Sequence, residues 1–192
     1  MKRIVLGVLA ALLLCGCRTG TPAESYGGEA EIARYRQEWM QSGEERIALQ
    51  RNLARWYNLK LRQQGAGDFR EAYASILFYS EGILGSVEAG ETHLPVYHGP
   101  GTGRGFSHDP ESAFPMGQPG DHPVLITTAG LELSEGDTFT VHILDESLVY
   151  QICSVRREPD TVCVPGVDYC SLIRGDGTQF LGIRLTEGEA GT

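Results

Sequence analysis

The sequence predicts a mainly β domain, a sandwich or a closed barrel, behind a helical N-terminal segment. Three observations carry this. Apolar and aromatic residues keep helical spacing from Ile32 to Leu77. From Ile83 onward turn residues recur every eight to fifteen positions, and the apolar runs between them are short. Thr138-Phe139-Thr140-Val141-His142-Ile143 alternates cleanly, so Phe139, Val141 and Ile143 should face a core.

The chain starts with basic Met1-Lys2-Arg3, followed by the apolar run Ile4–Leu14. That run suits a secretion signal and is too short for a membrane span. Leu14-Cys15-Gly16-Cys17 reads as a lipobox, with residues 1–16 as the leader and Cys17 as the lipidated N-terminus. Two acyl chains on Cys17 would anchor the protein stably. Residues 17–28 are small and polar and read as a flexible tether.

Residues 29–82 form the expected helical region. Ile32, Tyr35 and Trp39 share one face. Ser42 and Glu45 read as a capping box for a second helix. Leu49, Leu53, Trp56 and Tyr57 would form its buried face. Asp68 would open a third helix carrying Phe69, Tyr73, Ile76 and Leu77. Residues 83–192 form the β domain, with strands expected at His93–Tyr97, Pro123–Thr127, Thr138–Leu144, Leu148–Val155, Tyr169–Ile173 and Phe180–Leu185. The last two read as a hairpin.

Composition narrows function. The net charge is −9, which disfavours nucleic acid and anionic lipid as generic partners. No Cys/His spacing suits zinc, so no metal or other cofactor is expected. Pro100-Gly101-Thr102-Gly103-Arg104-Gly105 has the glycines of a phosphate loop but no Gly-Lys-Ser/Thr after it. Cys153 and Cys163 flank a short loop, and in a secreted chain they are the pair expected to form a disulfide.

Several segments together resemble the class C, pilin-type sortases, which are cysteine transpeptidases. Leu94-Pro95-Val96-Tyr97-His98-Gly99 is similar to that family's Leu-Pro-[IV]-Tyr-His-Gly, and Ala54-Arg55-Trp56-Tyr57-Asn58-Leu59-Lys60-Leu61 to its Ala-x-x-Tyr-Asn-x-x-Leu. Phe114-Pro115-Met116-Gly117 with His122, then Gly130-Leu131 and Gly136-Asp137, follow in the family's order. Asp168, Tyr169 and Leu172 fit its Asp-Tyr-x-x-Leu-x-x-Cys. The resemblance implies a sortase-type closed β-barrel of about seven to eight strands, with the helices as an appendage. Asp68-Phe69 falls where many members carry a lid, without its proline.

In that family a Cys attacks the sorting-signal carbonyl, a His moves protons and an Arg stabilises the substrate or oxyanion. The resemblance puts Gly175 at the Cys position and Thr128 at the His position. It puts Arg184, nine residues after Gly175, at the Arg position. Glycine has no side chain, and a threonine hydroxyl does not titrate near neutrality. Cys170 and His122 lie about 16 Å and 20 Å along the chain from the positions they would have to fill. The expectation is therefore a lipid-anchored, catalytically degenerate sortase-like binding or accessory module. It would sit on the outer face of a cytoplasmic membrane of Gram-positive type, facing a sorting-signal peptide, a pilin or an active sortase. An active transpeptidase with another nucleophile and a purely structural lipoprotein are the alternatives.

The leader makes a direct prediction. Intact mass of the membrane-extracted protein should show a chain beginning at Cys17 with a diacylglyceryl group. An unmodified chain beginning elsewhere would refute the lipobox.

Overall fold

A computed structural model describes residues 28–64, 82–99, 103, 105–157 and 163–186. Cys17, the tether as far as residue 27, the third expected helix and the lid residues Asp68 and Phe69 lie outside these, and Gly28, expected to end the tether, opens the first helix instead. Two helices, α1 (Gly28–Ser42) and α2 (Glu44–Gln64), precede eight strands. The strands are β1 (Ile83–Ala89), β2 (Thr92–His98), β3 (Phe106–His108), β4 (Val124–Thr127), β5 (Thr138–Ile143), β6 (Glu146–Arg156), β7 (Tyr169–Arg174) and β8 (Gln179–Arg184). They close into one barrel in the order β1-β2-β3-β4-β7-β8-β6-β5. The expected mainly β, closed-barrel architecture is therefore present. No described helix is long and apolar enough to cross a membrane.

Alternation builds the interior. Phe139, Val141 and Ile143 of β5 are buried, as their period of two requires. Leu125, Leu172, Tyr150 and Phe180 join them from other strands. Phe139 stacks on Tyr150 with ring centroids 5.3 Å apart. Gly182 makes this possible: a Cβ there would come within 2.6 Å of the Phe139 ring. Strands β1 and β3 were not among the expected ones. β1 is buried on both faces over five of its seven residues, so it shows no alternation, and β3 has only three residues.

The helices dock by polar contacts. Tyr35 of α1 donates its hydroxyl to Leu84 O at 2.6 Å and accepts from Leu144 N–H at 2.8 Å. Ser42, expected to cap α2, is instead the last residue of α1, and its hydroxyl donates to Trp39 O at 2.7 Å. Gly43, at φ 82, makes the turn between the helices.

The buried face of α2 differs from the expected one. Leu49 is 54% exposed and Trp56 40%, whereas Gln50, Ala54, Tyr57 and Asn58 are buried. The reason lies in Asn58, whose amide is satisfied inside the protein. Its Nδ2 donates to Phe114 O at 2.9 Å and to Asp121 Oδ2 at 2.7 Å, and its Oδ1 accepts from Phe114 N–H at 2.8 Å. Three well-placed bonds outweigh the preference of two larger apolar groups for burial. At the other end of the docked face, Arg51 pairs with Asp145 and Glu146 at the β5–β6 turn.

Asn58→Ala should therefore lower unfolding free energy by about 3 kcal/mol, because it strands buried polar partners. Leu49→Ala should change it by less than about 0.5 kcal/mol. Urea titration of the two variants checks this; equal effects would place the docking energy elsewhere.

Candidate functional site

Strands β4 and β7 run parallel in register, Val124 beside Ser171, Leu125 beside Leu172, Ile126 beside Ile173 and Thr127 beside Arg174. Leu125 and Leu172 point into the barrel and are wholly buried. Val124, Ile126 and Thr128 from one segment and Ile173 and Gly175 from the other lie on the opposite, partly exposed face, and a groove runs beside it along Gly103, Gly105, Ser107, Ile126 and Thr128.

At one end of that groove the structure brings Thr128 and Gly175 together. A Cβ on Gly175 would lie 3.5 Å from Thr128 Cα and 3.8 Å from Thr128 Cγ2. Both residues are exposed. Beside them is a cleft of about 220 Å³ lined by Gly103, Gly105, Ser107, Ile126, Thr127 and Thr128. Neither Thr128 nor Gly175 carries a thiol or an imidazole.

Arg184 does not join them. The β7–β8 hairpin turns tightly at Asp176-Gly177, and every residue after the turn runs back along β7. Arg184 N–H donates to Asp168 O at 3.0 Å, at the far end of β7. Seven extended residues, roughly 23 Å, separate that point from Gly175. There the guanidinium lies over the Tyr150 ring at 5.8 Å, and Nη1 approaches Ser147 O at 3.5 Å. The nine-residue offset from Gly175 persists in the sequence and is folded away in space.

The cation near Gly175 is Arg174, which the sequence reading overlooked. Its guanidinium makes two bonds to Asp176, Nε to Oδ1 at 2.9 Å and Nη2 to Oδ2 at 2.8 Å. Its Nη1 donates to Leu131 O at 2.6 Å. These bonds hold the Asp176 carboxyl far below its usual range, first through Arg174 and then through Thr178. Asp176 is thus occupied by Arg174, not by Arg184.

The other candidates fall into place by face. Cys170 points into the barrel and is fully buried, and burial pushes its thiol well above the usual range. His108 is also fully buried. It stacks on Phe114 at 4.8 Å, its Nε2–H donates to Ala113 O at 2.8 Å, and its Nδ1 lies 3.3 Å from His98 Nδ1. Burial lowers its pKa to about 4, so the ring is neutral packing. Among the described residues no three His, Cys, Asp or Glu side chains could hold a metal ion.

Cys153 and Cys163 are both free thiols, so the expected bridge is not formed in this structure. Cys153 Sγ donates to Leu181 O at 3.3 Å. Cys163 reaches His122 instead, Sγ to Nδ1 at 3.3 Å, at the end of β7 away from Gly175. His122 Nε2 meets Ser171 Oγ at 2.7 Å, and Gln179 Nε2 donates to that same oxygen at 2.7 Å. No spacing in the sequence marks this chain of contacts, because the pairing of β4 with β7 creates it.

Behind the groove, Asp121 and Asp168 are buried close enough to feel each other. Burial, then the Asp121 charge, raises Asp168 to about 7, against the opposing pull of Arg184 and Tyr150. Burial raises Asp121 to about 6, although Asn58 and Arg62 favour its charged form. Arg62 Nη1 stands 3.3 Å from Asp121 Oδ1.

No family model matches the chain, and no curated protein does. Solved structures do. Sortase C1 from Streptococcus agalactiae superposes with a TM-score of 0.70 at 25% identity, covering 82% of this chain and 99% of that one. Sortase C-1 from Streptococcus pneumoniae gives 0.67 at 26% identity, covering 82% and 98%. Sortase C from Clostridium perfringens gives 0.66 at 20% identity, covering 82% and 99%. The chain has the sortase fold and is similar to the class C sortases.

The acid pair yields a pH prediction. A carboxyl whose folded pKa is raised binds its proton more tightly in the folded state. Its stabilisation is complete below the unfolded value near 3.8 and is lost as pH rises through about 7. Asp168→Asn should thus match wild type near pH 3.5 and melt roughly 5 °C higher at pH 8. Parallel melting profiles would show that Asp168 is ionised throughout.

Proposed function

We propose that this chain is a sortase-fold binding or accessory module of the cell surface that has lost the family's transpeptidase centre. The observation that carries the reading is the contact of Gly175 with Thr128, 3.5 Å from added Cβ to Cα. By the motif resemblance Gly175 and Thr128 stand where the family has its nucleophile and base, and neither residue can act as either. Nucleophile and base work as a unit, so loss of one removes most of what the pair provides. Cys170 is no substitute, since its thiol is enclosed on the opposite face of β7. Neither is Arg174 or Arg184, because a guanidinium does not give up its proton in proteins.

The cleft beside Thr128 is open, with Ile126 40% exposed in its lining. We assign it to a peptide, since a Streptococcus pneumoniae sortase C of similar fold is described by its pilin substrate specificity. A sorting-signal peptide, a pilin or an active sortase is the partner we assign. The Cys17 lipid would hold the module on the outer face of the membrane. No cofactor enters the reading.

A Leu-Pro-x-Thr-Gly peptide incubated with the protein decides the matter. Saturable binding without cleavage, unchanged in Cys170→Ser, is the expected outcome. Cleavage would make the protein an active transpeptidase with another nucleophile, and absence of both binding and cleavage would leave a structural scaffold. Restoring Gly175→Cys with Thr128→His should bring thiol and imidazole within reach and recover slow cleavage.

A further inference from the structure

Cys163, His122, Ser171 and Gln179 form a continuous polar chain that the peptide-binding reading does not use. Ser171 is wholly buried and Gln179 is 6% exposed, so the inner half of the chain is fixed. Gln179 Nε2 donates to Ser171 Oγ at 2.7 Å. His122 Nε2 stands 2.7 Å from the same oxygen, and in the tautomer that carries its hydrogen on Nε2 the imidazole presents an unprotonated Nδ1 outward. That nitrogen is 3.3 Å from Cys163 Sγ. The backbone beside the thiol is also pinned, since Val164 N–H donates to Tyr169 Oη at 3.3 Å. Cys163 itself is only half-buried. A thiol in reach of a base, with the base oriented by a third group, is the arrangement covalent catalysis requires.

We propose that Cys163 is a nucleophile served by His122, and that the pair accepts acyl groups presented as activated esters or thioesters. In the step, the Cys163 thiol proton passes to His122 Nδ1 while Sγ attacks the acyl carbon. An S–C bond forms, and the carbonyl π pair moves onto oxygen. Collapse breaks the bond to the alkoxide or thiolate leaving group, which takes the proton from His122. The products are an acyl thioester on Cys163 and a free alcohol or thiol; water, an amine or another thiol can discharge the thioester.

The choice of donor follows from the resting state. Burial pushes the Cys163 thiol up and the His122 imidazole down. The pair therefore rests as S–H···N, not as a thiolate beside an imidazolium. A high-pKa thiol is the more nucleophilic once deprotonated, and the better leaving group is the one of lower pKa. An activated ester or thioester leaves in preference to Cys163, whereas an amide nitrogen does not. This centre is therefore distinct from amide cleavage at the Gly175 end, about 13 Å from Ser171 along β7. It does not rest on peptide recognition.

The test uses the reduced full chain in detergent and p-nitrophenyl acetate as acyl donor. Release of p-nitrophenolate gives the rate, and peptide mass spectrometry locates the acetyl group. Wild type should acetylate at Cys163, and Cys153→Ser should match it. His122→Ala should slow Cys163 acetylation roughly 10²-fold. His122→Gln, which can still bond to Ser171, should keep the melting temperature and lose the rate equally. Acetylation of Cys163 at wild-type rate in both His122 variants, an adduct on Cys153 in preference to Cys163, or no adduct at all would overturn the proposal. Because the donor contains no peptide, this result is independent of sorting-signal binding.

Discussion

The parallel pairing of β4 with β7 is the constraint on which the site depends. Parallel neighbours need a long connection, and here the β5–β6 ribbon lies between the two strands in sequence. Pairing them closes the barrel and lays two outward-facing rows of side chains beside each other. One row ends in Thr128 and the other in Gly175, while His122 and Ser171 meet at the opposite end. A slip of one residue in this register would send Leu125 and Leu172 outward and destroy core and groove together. The wholly buried pair Leu125 and Leu172 thus positions residues it never touches.

A second constraint comes from the turn between β7 and β8. A tight hairpin converts sequence distance into its opposite, so Arg184, after Gly175 in the chain, lies beside Asp168 before it. The turn also recruits Arg174 to close its own loop through Asp176 and Leu131. Helix α2 is tied to the same region through Asn58 and Arg62, both directed at Asp121. Barrel, helix and groove are thereby linked through one buried carboxyl, held largely by polar contacts.

The fold superposes on a sortase over 99% of that chain at only 25% identity. Barrel closure asks only for apolar residues of suitable size at inward positions, so many sequences satisfy it. Chemistry asks for particular side chains at a few outward positions. The two demands fall on alternate residues of the same strands, so the groove can change while the core stays. In β7, Cys170 and Leu172 serve the core, whereas Ile173 and Gly175 on the other face are partly or fully exposed.

By itself the sequence determined the mainly β class, six of the eight strands and the alternating interior of β5. Those features rest on local periodicity or on ordered motifs, which a linear chain displays directly. The two missing strands were illegible because β1 is covered on both faces and β3 is three residues long. Tertiary structure decided the rest. It turned α2 about its axis, since the partners of Asn58 come from a distant loop. It moved Arg184 away from Gly175, and it joined Cys163 to His122 across forty-one positions of sequence. A linear pattern specifies which side chains share a face of one element. Which faces meet depends on strand pairing and on buried polar groups finding partners, and both are settled only when the barrel closes.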